Sequence, residues 1–345
     1  MISGPAGTEP ADTQPRRIAV LMAVHNGASW LPEVLAGLAA QAGVRVRVTV
    51  WDNASDDGTA EIVARLLPSA HVVRSEENIG FWEAIEQLSA TCAEEVFLAL
   101  TDVQLAPDFL VRAVAAFADP AVGAVEGKIY QLSAGRRTKV IDTVGFRVDR
   151  SRRITIAGHG EVDHGQYDST VPVFGVEGAA PMFRTEAFRG AAVEGHVIDP
   201  AYRTGPLGYG QDLDLPWRLS LFGWRQLLVP DAIAWHDRST THSTATGLAS
   251  HVRRIPQRRA IPLEKRVQDW VNVRCTIVKN DRALDLLRDL PLIVARELLV
   301  LAYMLLFEPR ALVGLRRFAR LLPGMLRQRR LVQARAEADM RAWFH

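Results

Sequence analysis

The sequence predicts an α/β fold with a mostly parallel sheet and helices on both faces. Over the first hundred residues, short apolar runs rich in β-forming residues alternate with segments of helical spacing. The chain has 345 residues, 48% of them hydrophobic, which is enough for one large core and an appended region. Cys92 and Cys275 lie far apart and form no disulfide or zinc pattern, which favours a reducing compartment.

The alternation starts with the apolar run RIAVLMAV, which is followed by a polar turn and a helix-like segment. The predicted strands are 17–24, 44–51, 71–74 and 95–100, and the predicted helices are 29–41, 59–67 and 81–92. Ligands of such sheets bind where loops leave the carboxyl ends of the strands. We therefore expect the functional residues in the turns that follow these strands.

The second half of this region has a less regular pattern. From residue 124 onward, Gly, Asp and His separate short strands, which is typical of long functional loops on an acceptor side. A helix is predicted to begin near Asp212. Residues 1–15 are predicted to be a flexible tail without a secretory signal, and 239–250, rich in Ser and Thr, a linker.

The last third of the chain is predicted to be helical, basic and attached to a membrane. Residues 241–345 hold 20 Lys and Arg against 9 Asp and Glu, whereas the whole chain holds 41 against 39. The run 290–307 is strongly apolar but carries Arg296 and Glu297 at its middle. These charges disfavour a membrane-spanning helix. The segment that follows has the composition of a helix in the headgroup layer, with leucines among Arg316, Arg317, Arg320, Arg327, Arg329 and Arg330. A core helix followed by a solvated basic face is the alternative.

Three carboxylates stand where a nucleotide-dependent group transfer needs them. Asp52 follows a strand and is placed to accept a hydrogen bond from a nucleobase. Asp102 follows an apolar strand and offers a hard oxygen ligand for a cation on a diphosphate. Asp212 opens a helix, which suits a general base. Taken alone, each is also compatible with a turn or a helix cap, and His236 with a metal ligand or a structural histidine.

In their order along the chain, these motifs resemble those of the family 2 glycosyltransferases of the GT-A fold. Within that family, the chain is similar to the bacterial rhamnosyltransferase-like enzymes of cell-wall and surface polysaccharide synthesis. The likeness covers roughly residues 17–280. It is carried by VHNG at 24–27, DNASDDGT at 52–59, NIGF at 78–81, DVQLAPD at 102–108, GHGEVDHGQYD at 158–168, GAA at 178–180 with Arg184, QDLDLPWR at 211–218, GWR at 223–225, Pro230 and His236.

The resemblance implies a role for each candidate residue. Asp212 would be the catalytic base, and Asp102 with His236 would hold Mg²⁺ or Mn²⁺. The donor is expected to contact loop residues His25, Asn26, Asp52, Asn53, Ser55, Asp57, Asn78, Gly80, Phe81 and Thr101. The acceptor is expected near Gly178, Ala179, Trp217 and Arg218.

The sequence also departs from the family pattern. Only Asp102 is acidic where the family often has Asn-Pro-Asp before its metal site. Trp82, Ala84 and Glu86 replace the usual Gly, Gly and Asn of the donor-side loop. Gln211 replaces the acidic neighbour of Asp212, which leaves that residue as the obvious base.

These motifs together imply a GT-A domain over 16–240 and a helical, basic, membrane-associating region over 241–345. The expected activity is inverting transfer of a hexose from a nucleotide-diphosphate sugar, with dTDP-rhamnose favoured over UDP- and GDP-sugars. The expected acceptor is a polyprenyl-diphosphate-linked saccharide at the cytoplasmic face of a bacterial inner membrane, whose anionic lipids attract the basic region. No nucleic-acid partner is expected.

Two other functions stay open at this point. One is an inactive family member that serves as a scaffold or subunit of a polysaccharide assembly complex. The other is a nucleotidyltransferase, although the turn His25-Asn26-Gly27 lacks the Arg or Lys that usually binds a triphosphate there. A nicotinamide dehydrogenase is disfavoured because no G-x-G-x-x-G follows the first strand.

Overall fold

The computed structural model describes residues 15–204, 207–208, 211–237 and 261–345. The strands are β1 Arg17–Val24, β2 Arg45–Asp52, β3 His71–Arg74, β4 Val96–Leu100, β5 Val103–Leu105, β6 Val122–Ser133, β7 Arg136–Thr143, β8 Phe146–Val148, β9 Ile154–Ile156, β10 Val171–Pro172, β11 Met182–Arg184, β12 Arg203–Thr204, β13 Leu207–Gly208 and β14 Arg225–His236. The helices are α1 Leu31–Ala39, α2 Thr59–Leu66, α3 Phe81–Ala90, α4 Phe109–Ala115, α5 Thr185–Gly190, α6 Gln211–Leu221, α7 Leu263–Asn280, α8 Ala283–Phe307 and α9 Val313–Ala334.

Ten of the strands form one sheet, in the order β10-β14-β6-β11-β4-β1-β2-β3, with β5 paired to β14 and β7 to β6. β1 pairs in parallel with β2 and β4, and β2 with β3. β11 is antiparallel to both β4 and β6, while β14 is parallel to β6. The sheet is therefore mixed at its centre, and the strands of residues 17–100 form a parallel block.

The strands and helices of residues 17–100 form as their sequence predicts. β1 has seven of its eight residues buried, as expected for a central parallel strand covered on both faces. Helix α1 buries Leu31, Val34, Leu35 and Leu38, which share one face at helical spacing. The observed bounds of β1 and β3 equal the predicted ones, and the other early elements differ by a few residues at their ends.

The segment from β6 to β14, residues 122–236, differs from the expectation of short strands among long loops. β6 has twelve residues and continues through a two-residue turn, Ala134-Gly135, into β7. Both turn residues have positive φ, 48° and 72°, as a tight hairpin requires. β14 is also twelve residues long. The first nine residues of β6 are buried, so the alternation that reveals a half-exposed strand is missing from its sequence.

The C-terminal helices pack on the sheet domain. Trp217 and Leu221 of α6 share one apolar cluster with Ile277 of α7 and Val332 of α9. Among the described residues, only α8 has the length and apolar composition of a membrane-crossing helix, and 6% of its most apolar window is buried. Most of the predicted tail, residues 1–14, and all of the predicted linker 239–250 lie outside the described residues, as does the proposed boundary at 240.

Candidate active site

The ends of three parallel strands meet at one edge of the sheet. Val24 at the end of β1 is paired with Asp52 at the end of β2, and Met22 with Leu100 at the end of β4. The backbone N–H of Asn53 donates to the carbonyl of Val24 at 2.7 Å. The turns after β1, β2 and β4, which contain most of the predicted donor residues, therefore lie side by side.

The turns after β1 and β2 are joined by hydrogen bonds. The backbone N–H of Asn26 donates to Ser55 Oγ at 3.0 Å, and Asn26 Oδ1 accepts from the backbone N–H of Asp56 at 3.1 Å. Asp57 Oδ2 accepts from the N–H of Ala28 at 2.8 Å, and His25 Nδ1 lies 2.8 Å from the carbonyl oxygen of Asn53. These contacts hold the two turns in a single shape.

Asp57 is part of this arrangement through both of its carboxylate oxygens. Its Oδ1 accepts from the side chain of Thr59 at 2.6 Å and from the backbone N–H of the same residue at 3.1 Å. The hydrogen bond from the Thr59 side chain is the main cause that holds the pKa of Asp57 below its ordinary value. Both oxygens of this carboxylate, which is predicted to contact the donor, therefore already accept hydrogen bonds from the protein, including two from Thr59 at the start of α2.

Asp52, the last residue of β2, is buried, with 1% of its surface exposed. Its Oδ1 accepts from the backbone N–H of Ser55 at 2.9 Å. Its Oδ2 lies 3.3 Å from Arg74 Nε in an ion pair without hydrogen-bond geometry, and no hydrogen bond to Oδ2 is made within the described part of the chain. A buried carboxylate oxygen without a donor is a free acceptor for a ligand N–H.

Asn53 connects the turn after β2 with the loop that starts α3. Its Oδ1 accepts from Trp51 Nε1 at 3.0 Å and from the backbone N–H of Ile79 at 3.2 Å, while its Nδ2 donates to the carbonyl of Gly80 at 3.2 Å. Asn78 Oδ1 accepts from the N–H of Gly80 at 3.0 Å. Gly80 has φ of 97°, which glycine adopts at no steric cost. This loop places the half-buried ring of Phe81 at the start of α3.

The predicted metal ligands come together at the junction of β5 and β14. Val103, which follows Asp102, is paired with His236, the last residue of β14. His236 Nε2 lies 3.6 Å from Asp102 Oδ1, and the side chain of Asp102 is 36% exposed toward the edge. Thr101 beside it is half-buried. One carboxylate oxygen and one imidazole nitrogen therefore converge on the same point.

A third residue, Asp142 on β7, orients this histidine. Its Oδ2 lies 2.9 Å from His236 Nδ1, and its side chain is fully buried. His159 in turn places its Nδ1 2.8 Å from the carbonyl oxygen of Asp142. Burial opposes the charged form of His236, but the hydrogen bonds and charges of Asp102 and Asp142 outweigh it and raise the pKa of His236 to about 10. A cation on Nε2 would take the place of that proton.

Asp212, at the start of α6, lies beside Gly178. A Cβ added to Gly178 would lie 3.4 Å from Asp212 Cβ and 3.4 Å from a ring carbon of Trp82. Met182 of β11 pairs with Leu98 of β4, and the N–H of Ala99 donates to the carbonyl of Pro181 at 3.0 Å. Residues 178–180, which precede β11, form a bend leading to this pair of strands. Asp212 therefore lies near Gly178 and the ring of Trp82, and Trp82 directly follows the donor-side residues Gly80 and Phe81.

The other residues predicted to lie on the acceptor side are buried, namely Ala179, Trp217 and Arg218. Trp217 and Arg218 are 0% and 1% exposed, so neither borders the edge. The ring of Trp217 packs edge-on against Phe174 at 5.3 Å, and Arg218 donates to Asp214 at 2.9 and 3.1 Å. Both residues hold α6 in the core, which corrects the acceptor-side position expected for them. Ala179 is buried as well, and its N–H donates to Glu177 Oε2 at 3.1 Å.

Asp142 is the main site residue that the sequence reasoning missed. It is joined to His236 across 94 residues of sequence, and it lies in a strand that the sequence pattern did not reveal. The nearest signal is the motif at 158–168, which contains His159. Within the described ranges, no three His, Cys, Asp or Glu side chains form a group that could hold a metal ion by themselves.

The comparisons with known proteins agree with this geometry. Residues 19–167 match the family model described as Glycosyl transferase family 2. An N-acetylglucosaminyl-diphospho-decaprenol L-rhamnosyltransferase of Mycobacterium tuberculosis (strain ATCC 25618 / H37Rv) is 26% identical over 277 residues, which cover 73% of this chain and 85% of the relative.

Two crystal structures resemble the chain in fold. That of GalNAc-T7 with UDP, GalNAc and Mn²⁺ matches with a TM-score of 0.52 and 15% identity over 69% of this chain, and the chain covers 48% of its length. That of S. aureus TarS matches with a TM-score of 0.51 and 14% identity over 90% of this chain, and the chain covers 55% of its length. The chain thus spans about half the length of each of these two structures.

Residues 19–167 form a domain that matches the family 2 glycosyltransferases, and the chain has a GT-A fold. It is an enzyme of the nucleotide-sugar-dependent glycosyltransferase class. The family, the fold and the enzyme class expected from the order of the motifs are confirmed. The roles of individual site residues stay predictions.

Proposed function

We propose that this protein is an inverting glycosyltransferase that moves rhamnose from dTDP-rhamnose to a hydroxyl of a polyprenyl-diphosphate-linked saccharide. The observation that carries the proposal is the meeting of the ends of β1, β2 and β4, where Asp52 and the pair Asp102 and His236 lie, with Asp212 beside Gly178 and near Trp82 at the start of α3. A nucleotide, a cation and an attacking hydroxyl each find a fitting group there.

The donor nucleotide is proposed to lie over the turns after β1 and β2. Its base would donate an N–H to the buried Oδ2 of Asp52, which makes no hydrogen bond within the described residues. The interlocked turns that contain Asn26, Ser55 and Asn53 keep this pocket in shape before the donor arrives. A site that is already ordered loses less conformational entropy on binding.

A divalent cation fits the pair formed by Asp102 and His236. Mg²⁺ and Mn²⁺ are commonly held by one or two protein groups together with substrate phosphates, so a third protein ligand is not required. A cation there would stabilise the charge of the departing nucleoside diphosphate. Asp142 supports the same reading, because a metal-binding histidine usually donates its other N–H to a carboxylate.

The chemical step is proposed to be a direct displacement. Asp212 accepts the proton of the acceptor hydroxyl while that oxygen bonds to the anomeric carbon of the sugar. The bond between the anomeric carbon and the diphosphate oxygen breaks at the same time, and its electron pair leaves with the nucleoside diphosphate. Because there is one displacement, the anomeric configuration inverts.

The choice of rhamnose and of a lipid-linked acceptor is supported by the Mycobacterium tuberculosis relative, whose name states both. The basic C-terminal region and the exposed apolar helix α8 are consistent with a lipid substrate. We accordingly propose that the protein works as a peripheral protein at the cytoplasmic face of a bacterial inner membrane.

The test is a transfer assay on the full chain with a polyprenyl-diphosphate-linked N-acetylglucosamine acceptor. dTDP-rhamnose, UDP-sugars and GDP-sugars are offered separately, with Mn²⁺, with Mg²⁺ and with chelator, and products are identified by mass spectrometry. We expect transfer from dTDP-rhamnose that depends on the cation. A nucleoside diphosphate at about 100 times its dissociation constant should also stabilise the fold by about 2.7 kcal/mol.

Each alternative function predicts a different result in this assay. Binding of a nucleotide sugar without transfer or hydrolysis would indicate an inactive scaffold. Release of pyrophosphate from a nucleoside triphosphate would indicate a nucleotidyltransferase. Transfer from another donor alone would keep the class of enzyme but overturn the choice of rhamnose.

A further inference from the structure

Helix α8 presents the largest exposed apolar surface among the described helices. It has 25 residues, and within 290–307 its only charged residues are Arg296 and Glu297. Leu299 and Leu306 are 72% and 74% exposed, and Leu284, Leu287, Leu298 and Leu305 are exposed as well. Soluble proteins rarely leave a continuous apolar surface of this kind in water, so a partner is expected on it.

The beginning of α8 is bound to the sheet domain by ion pairs. Asp289, which is 5% exposed, accepts from Arg150 at 2.7 Å and from Arg152 at 2.9 Å, and both arginines belong to the turn between β8 and β9. Asp285, one turn earlier, lies 3.3 Å from Arg341 near the C-terminus. The first two turns of the helix are therefore attached to the body of the protein.

The middle and the end of α8 are bound to α7. Glu297 accepts from Arg274 Nε at 2.9 Å and from Arg274 Nη2 at 3.0 Å. Glu308, which directly follows the helix, forms an ion pair with Arg266 at 2.9 Å. Met304 is 2% exposed and belongs to the same apolar cluster as Val271 of α7. Ion pairs of Glu297 and Glu308 and the apolar contact of Met304 thus connect the second half of α8 and its end to α7.

These contacts decide how α8 can meet a membrane. A membrane-spanning helix has its two ends on opposite sides of an apolar layer about 30 Å thick. Here both ends and the middle are bound to one folded body, so α8 could cross only by breaking all of these ion pairs. Arg296 and Glu297, which interrupt the apolar run in the sequence, form an ion pair with each other at 2.8 Å and face α7 through Arg274. The outward face is left without charge over 290–307.

We propose that α8 is an in-plane membrane anchor, with its outward apolar face inserted into the surface of a bilayer that carries anionic headgroups. An apolar helix face bordered by basic residues is the composition of helices that lie in the interface. Exposed Arg310, Arg316 and Arg320 follow α8 in the sequence and supply positive charge that attracts anionic lipid. The inference rests on the contacts and exposure of α8 and on these charges, so it is independent of the proposed sugar transfer.

The first experiment measures binding of the full chain to vesicles of phosphatidylcholine with phosphatidylglycerol. The double variant Leu299→Glu, Leu306→Glu places two charges on the outward face. The matched control is Leu66→Glu, on an exposed position of α2 that is 42% exposed. We expect vesicle binding at least about tenfold weaker in the double variant. The control should bind like the wild type, and all three proteins should unfold at similar temperatures.

Two results of this experiment would overturn the proposal. Unchanged vesicle binding by the double variant is one. The other is a wild-type dimer in the absence of lipid that the double variant dissociates, since the outward face of α8 would then cover a second copy of the chain. Transfer to a short-chain, water-soluble acceptor is measured in parallel, and we expect it to be the same in all three proteins. Failure of that assay in the wild type would count against the proposed function and not against the anchor.

The second experiment measures the depth of α8. Single cysteines are introduced as Leu284→Cys, Leu298→Cys and Leu306→Cys and labelled with a fluorophore, while the native Cys92 and Cys275 are buried. Spin-labelled lipids with the spin at known depths then quench the fluorescence. An in-plane helix places all three labels at a similar shallow depth. A label at residue 298 near the bilayer centre, with the other two near opposite surfaces, would show a spanning helix and overturn the proposal.

Discussion

Helix α6 carries two carboxylates in two contrasting regions of the molecule. Asp212 is half-buried and lies beside Gly178, near the ring of Trp82. Asp214, two residues later, is 1% exposed and lies at the interface with α7. There it accepts from Arg218 Nη2 and from Lys279 Nζ, each at 2.9 Å, and from Asn280 Nδ2 at 2.8 Å.

The difference shows how the protein separates stability from chemistry. Burial opposes the charge of Asp214, but the positive charges of Arg218 and Lys279 outweigh it and hold the pKa of Asp214 below its ordinary value. Lys279 is shared with Asp199, also at 2.9 Å. Asp214 is therefore held ionised by fixed partners and is not free to exchange protons with a substrate. We infer that this buried cluster orients α6, on which Asp212 is the proposed base.

The largest expected effect is on catalysis. In Asp212→Asn the amide cannot accept the hydroxyl proton, so kcat should fall by about 10²–10⁴-fold. Nucleoside diphosphate affinity and melting temperature should stay near those of the wild type. Steady-state kinetics and thermal unfolding measure both, with Asp231→Asn, an exposed position on β14, as the control. Near-full transfer by a folded Asp212→Asn protein would remove this residue from the mechanism.

The reverse pattern is expected for the neighbouring carboxylate. Asp214→Asn leaves the buried Lys279 and Arg218 with less compensating charge, which should lower the free energy of unfolding by about 3–5 kcal/mol. Urea denaturation followed by circular dichroism measures this, and Asp212→Asn serves as the matched control on the same helix. Equal stability of the two variants would show that the buried cluster does not hold α6 in place.

A smaller and more specific effect is expected at Asp142. In Asp142→Ala, His236 keeps its position on β14 but loses the carboxylate at 2.9 Å that orients its ring. Mn²⁺ affinity should fall about 10–100-fold, as for other carboxylates behind a metal-binding histidine. Titration calorimetry of Mn²⁺ in the presence of nucleoside diphosphate tests this, and metal-free nucleotide binding should be unchanged. Unaltered Mn²⁺ affinity would assign Asp142 to stability alone.

The smallest effect concerns acid stability at Asp163, far along the chain from α6. Burial opposes its charge, but hydrogen bonds from Tyr130, the N–H of Gly165 and Lys128 outweigh it and lower its pKa from 3.8 to about 2. A carboxyl whose pKa is lower in the folded state stabilises the fold above about pH 4 and loses this contribution as the pH falls toward 2. The difference corresponds to about 2 kcal/mol.

Urea unfolding at pH 5, 4 and 3 tests the acid prediction. The wild type should lose stability over this range, and Asp163→Asn should show a shallower dependence because it removes one of the titrating groups. Lys128 is 2% exposed, so Asp163→Asn should also be less stable at pH 5. An identical slope in both proteins would exclude Asp163 as a source of the acid sensitivity.

The parallel half of the fold was predictable because each strand, turn and helix there has its own local signal. β1 and β3 were predicted to the residue. The β6–β7 hairpin was not, since a strand buried on both faces shows no alternation. Asp142 was missed because it lies in β7, the second strand of this unpredicted hairpin, and because its contact with His236 spans 94 residues.

Asp142 was a site residue that the sequence did not reveal. Trp217 and Arg218, in contrast, were assigned to the acceptor side but are buried in the protein. Their place in a polar motif suggested a role beside the acceptor. In the structure Trp217 packs against Phe174 and Phe344, and Arg218 is buried with Asp214 and the carbonyl of Val197. Spacing alone defines which residues share a helix face and leaves open which face meets the cleft. That depends on the elements packed against the helix.

The sequence by itself determined the order of strands and turns, and with it the placement of Asp52 and Asp102 at one edge, because parallel strands put their carboxyl ends together. Only the tertiary structure decided that Asp212 lies beside Gly178 while Asp214 is buried, that Asp142 orients His236, and that Glu297 of α8 pairs with Arg274 of α7. Local spacing sets the period and direction of the chain. Which side of an element is buried is set by segments far away in sequence that pack against it.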